Sequence, residues 1–78
     1  MTEEFVQKMA SYLAFLFRER DRWREVSESD AKVRYFGAKI EAVMDICSMF
    51  NCRSKVLQRL EKYYKPMEGF ESPCVILN

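Results

Sequence analysis

Glu41 and Asp45 stand four residues apart. On a helix they share a face, where two carboxylates can hold a divalent cation or divide acid and base roles. No Gly-rich phosphate motif and no Glu-x-x-His accompanies them, and helix surfaces carry such pairs by chance. The three thiols are Cys47, Cys52 and Cys74. An odd count argues against a disulfide framework, and the Cys47–Cys52 spacing is not a CxxC motif. They read as free thiols of a reducing compartment. Cys47 falls on an apolar stripe, where a thiol packs as a small apolar group. Cys52 and Cys74 are expected to be accessible. Ser11 or Ser54 beside a lysine would make a Ser–Lys dyad, but Ser54 reads better as a helix cap. The chain contains no histidine, which excludes imidazole acid–base catalysis, Cys–His and Ser–His dyads, and zinc sites that need imidazole. No catalytic residue, metal site or cofactor is expected, and the chain does not read as an enzyme.

One local charge asymmetry remains. Between Arg53 and Lys65 there are five bases against the single acid Glu61. Lys55, Arg59 and Lys62 recur at i, i+4 and i+7 and form a basic ridge, which could meet phosphates or an acidic protein surface. The whole chain has 13 basic and 12 acidic residues, a net charge of +1. That balance is far from the strongly basic character of a dedicated nucleic-acid binder. Nucleic-acid binding through this ridge is the secondary reading.

The elements that must position these groups are helical. Only two Gly and two Pro occur in 78 residues, and three of the four lie at Pro66, Gly69 and Pro73. The sequence therefore predicts one helical domain over residues 1–65 and an extended tail over 66–78. Thr2 caps a first helix at 3–26, with Glu3 and Glu4 suited to its dipole. Phe5, Met9, Tyr12, Leu13, Leu16 and Trp23 share its apolar face. Val6, Ala10 and Phe17 widen that face to an arc of about 160°, enough for two neighbours. Beyond Phe17 the charges alternate, and pairs such as Arg18 with Asp21 are expected. Ser27 or Ser29 caps a second helix at 30–50, and the short break predicts an antiparallel helical hairpin.

The second helix carries two apolar stripes. Val33, Phe36, Gly37, Ile40, Val43, Met44, Cys47 and Phe50 form one; Tyr35, Ala38, Ala42, Ile46 and Met49 form the other. Such a helix reads as buried on two sides, sandwiched between its neighbours. Gly37 is expected to admit a close helix or the Trp23 ring. Asn51 is a natural left-handed terminator. A third helix follows at 54–64, capped by Ser54, with Val56, Leu57, Leu60, Tyr63 and Tyr64 on its apolar face.

A third helix of about ten residues spans roughly 15 Å and cannot cover the second stripe of a helix twice as long. An uncovered stripe is a contiguous apolar patch, and small chains commonly cover one by oligomerising. The sequence thus predicts an all-α fold in which two copies of the hairpin form a four-helix-bundle-like homodimer. Tyr12, Phe15, Phe17, Tyr35, Ile46 and Met49 are the expected interface, open to a second copy or another protein. The longest apolar run, Tyr12 to Phe17, is far below the ~20 residues of a membrane span, so no membrane association is expected. Glu3 and Glu4 stand where a secretory leader would be positive. The expected location is cytoplasmic.

Overall fold

A computed structural model describes residues 2–26 and 30–65. These form three helices and no strand: α1 at Glu3–Val26, α2 at Asp30–Met49 and α3 at Arg53–Tyr63. No helix among them is long and apolar enough to cross a membrane. The proposed caps at Ser27 and Ser29, and the tail with Cys74, lie outside the described residues.

Thr2 starts α1 as its chemistry requires. Its hydroxyl accepts the Phe5 amide at 3.3 Å and its carbonyl accepts the Val6 amide at 3.2 Å, satisfying donors that a helix start leaves open. Asn51 ends the α2–α3 turn at φ 57°, a left-handed conformation that Asn tolerates. Around it the Cys52 amide bonds the Cys47 carbonyl at 2.9 Å, and the Asn51 amide bonds that of Ser48 at 3.1 Å. This pair of bonds is a Schellman motif, with Cys47 and Cys52 at its two ends.

The centre of the molecule is α1, not α2. Both other helices pack extensively along α1, whereas α2 and α3 touch each other little. The core joins Val6, Ala10, Leu13, Ala14, Leu16 and Phe17 of α1 to Ile40, Val43, Met44 and Cys47 of α2 and to Val56, Leu57 and Leu60 of α3. Cys52 and Tyr64 complete it. Leu13, Leu16, Leu57 and Leu60 are fully buried, each stabilising the fold by ~1.5–3 kcal/mol relative to exposure. The wide arc of α1 thus meets two neighbours. The expected sandwich with α2 in the middle does not form, because α3 docks on α1 and only one stripe of α2 is buried.

Three local expectations also change. Ser54 lies inside α3: the helix starts at Arg53, the cap position is Cys52, and no side chain caps it. Cys52 instead offers its carbonyl to the Val56 amide at 2.9 Å, so the Schellman turn feeds directly into the next helix. Phe50, placed on the core stripe by periodicity, is mostly exposed, because the chain is already turning there. Gly37 has no close neighbour among the described residues, where a β-carbon built on it would meet nothing within 4 Å.

That open space has a measurable consequence. Gly37→Ala is expected to raise the stability by about 1 kcal/mol, because Ala favours helix without clashing. Urea unfolding checks it. A lower midpoint would mean that something does approach Gly37 closely.

Candidate functional site

Two regions bring chemically distinctive groups together: a polar cluster where α1 meets the end of α3, and an apolar surface along α1 and α2.

In the polar cluster, Tyr64 leaves α3 in extended conformation while its amide still bonds the Leu60 carbonyl. Its ring stacks on Phe17 at 5.1 Å between centroids, and its hydroxyl donates to Asp21. Asp21 is almost fully buried. Arg20 and Arg24 stand 4.0 and 3.9 Å from its other oxygen. The Arg20 guanidinium lies 4.8 Å over the Phe17 ring. Burial, and then the charge of Arg24, pushes it below its ordinary pKa. Arg18 does not pair with Asp21 as expected; it donates to the Tyr63 carbonyl at 2.9 Å. Gln7 donates to the Tyr63 hydroxyl at 3.0 Å. These contacts fasten the end of α3 to α1. They are structural, and they hold the end of the described chain against the core.

Phe17, expected at an interface, is part of this fastening. It is 2% exposed, sealed by Tyr64 and Arg20, and offers no surface to a partner. Periodicity put it at the edge of the α1 arc but could not show that Tyr64 would fold back over it.

The other expected interface residues remain on the surface. Tyr12, Phe15, Tyr35 and Ile46 are 43, 47, 52 and 41% exposed, and Met49 is 78% exposed. Phe50 joins them at 54%. Tyr12 is nine residues from both Glu3 and Asp21, two of the groups that hold α3. At ~100° per residue it faces about 180° away from them. The Tyr12 ring stacks on Phe15 at 6.4 Å between centroids. Lys39 lies 4.7 Å over the Tyr35 ring. A hydrogen bond from Lys39 draws the exposed Tyr35 hydroxyl below its ordinary pKa, and that of Lys39 rises in response. Tyr35, Ile46 and Met49 share a side of α2 with Ala38 and Ala42. The surface therefore runs across both helices, on the flank away from α3.

The basic ridge is interrupted. Arg59, its middle member, forms an ion pair with Glu3 of α1, while Lys55 and Lys62 are exposed. Glu41 and Asp45 border a shallow groove with Ile40, Met44 and Arg53. Among the described residues no cluster of three acidic or thiol groups could hold a metal ion. Cys52, expected to be accessible, is 1% exposed, because the turn folds its side chain back over Cys47. No family model, curated protein or solved structure matches the chain.

Burial first, and the bond to Asp21 second, push the Tyr64 hydroxyl above its ordinary pKa of 10.0. In the unfolded chain it ionises near that value, so the folded state holds the proton more tightly. Its contribution is complete below pH 10 and is lost as pH rises through the folded value. Tyr64→Phe is expected to cost about 1–3 kcal/mol at neutral pH, since Asp21 loses a buried donor. It should also flatten the alkaline fall in stability. Urea midpoints at neutral pH and above pH 10 check both effects. Equal midpoints for the two proteins would contradict the fastening.

Proposed function

We propose that this chain is a small, non-enzymatic, all-α interaction module that acts by self-association, with a second copy of itself covering the surface along α1 and α2. The carrying observation is the row formed by Tyr12, Phe15, Tyr35, Ile46, Met49 and Phe50, large apolar side chains left 41–78% exposed. Each exposes on the order of 100 Å², roughly half of an aromatic side chain, so together they approach ~600 Å². That is the upper end of what a monomer tolerates in one patch. It is also most of the ~800 Å² per partner that a standard interface uses. A two-fold axis supplies the complement at once, because each copy carries the same surface.

The dimer would be four-helix-bundle-like, two antiparallel α1–α2 hairpins packed face to face. Contacts at both ends support the hairpin. Phe5, near the start of α1, packs edge-on against Phe50 after α2, 6.1 Å between centroids. Lys32, near the start of α2, lies 5.3 Å from the Trp23 ring near the end of α1. Tyr and Trp-like aromatic anchors dominate interface energetics, which favours Tyr12 and Tyr35 as central contacts. Lys55 and Lys62 lie outside this surface and take no part in it.

Light scattering after size exclusion tests the reading at micromolar concentration in reducing buffer. The expected mass is about twice 9.3 kDa. Phe15→Glu and Ile46→Glu alter exposed side chains, so each should keep the helical circular dichroism and weaken the dimer at least tenfold, about 1.4 kcal/mol. Charge reversal at Lys55 and Lys62 should leave the mass unchanged. A wild-type mass of 9.3 kDa across the accessible concentration range overturns self-association.

A further inference from the structure

The Schellman motif that ends α2 ordinarily brings two apolar side chains together, one from each end of the motif. Here both positions are cysteines. Cys47 and Cys52 are 0 and 1% exposed and both carry free thiols. The Cys52 amide and the Cys47 carbonyl are 2.9 Å apart, and the Cys52 sulfur lies 3.5 Å from that same carbonyl oxygen. A disulfide needs its α-carbons within about 4.4–6.8 Å and its side chains convergent. The backbone bond sets the two residues side by side across the turn, and the Cys52 sulfur is already folded back onto Cys47. We propose that Cys47 and Cys52 are a reversible redox pair, which a small-molecule disulfide closes into an intrachain disulfide across the α2–α3 turn.

The exchange takes two steps. The Cys52 thiol loses its proton to solvent, and the thiolate attacks one sulfur of the oxidant. The oxidant's S–S bond breaks, a mixed disulfide forms on Cys52, and one small thiolate leaves and takes up a proton. Cys47 then loses its proton and attacks the Cys52 sulfur. The mixed disulfide breaks, the protein S–S bond forms, and the second small thiol departs. Two protein thiols are oxidised and one small disulfide is reduced to two thiols. In the closed turn burial, together with the neighbouring Cys52 thiol, pushes Cys47 up to about 11, which disfavours its thiolate there. Access comes through opening of the turn. That opening lifts Cys47 and Cys52 out of the core they share with α1, while α2 and α3, which hardly touch, lose little packing with each other. Closure needs only the native turn, so the helices keep their places on α1.

The test uses the full-length native protein equilibrated with mixtures of oxidised and reduced glutathione. The sample is then acid-quenched, its remaining thiols are alkylated, and it is digested with trypsin. Cleavage after Lys39 and Arg53 leaves both cysteines in one peptide, residues 40–53, and Cys74 in another. The expected product is that peptide lighter by two hydrogen atoms and unalkylated. It should form without change in helical circular dichroism and revert as the reduced form is restored. Two alkylated cysteines in that peptide at every ratio overturn the proposal. So do stable glutathione adducts on both sites, links to Cys74 or to a second chain, or closure only after denaturant is added.

Discussion

Leu13, Leu16 and Phe17 belong to the one helix of the three that both others pack along, and the rest of the molecule depends on covering it. A 24-residue helix with apolar side chains over so wide an arc is not stable in water alone. The 20 residues of α2 cover one side and the 11 of α3 the other. Once α3 is committed to α1, nothing among the described residues covers the second stripe of α2. The exposed row at Tyr35, Ile46 and Met49 follows from this allocation: three helices of these lengths can enclose one two-sided helix, not two.

The placement of α3 rests on side chains that are individually polar. Glu3, Gln7, Arg18 and Asp21 of α1 all reach it, at Arg59, Tyr63 and Tyr64. Asp21 and Tyr64 form the buried part of this set, where low dielectric strengthens a satisfied hydrogen bond and makes an unmade one expensive. The exposed ion pairs, such as Lys8 with Glu4 at 3.1 Å, add little. The buried Asp21–Tyr64 bond, over a core of leucines that would accept several arrangements, favours one docking of α3 on α1.

Much of the local structure was legible in the sequence. Thr2 and Asn51 identified helix ends by their own chemistry, and the arc of α1 foretold two neighbours. The helix limits fall within a residue of those that caps and periodicity suggest. Less legible was which two-sided helix would be central. Periodicity gives each helix its apolar sides but not their partners, and α1 and α2 look alike by that measure. Phe17 was misplaced for the same reason, since its cover comes from Tyr64, 47 residues away. The Cys47–Cys52 pair carried a readable signal. A left-handed Asn51 implies a Schellman turn, and that turn brings together the residues four before it and one after it. Spacing rules built around CxxC do not detect this.

The central claim is that the apolar surface of α1 and α2 is covered by a second copy, so that association contributes to the stability of the fold. Urea unfolding at several protein concentrations tests it directly. If the native form is a dimer, mass action raises the midpoint with concentration while the dependence on denaturant stays the same. The account predicts that rise. A midpoint that does not move between nanomolar and high micromolar protein would contradict it.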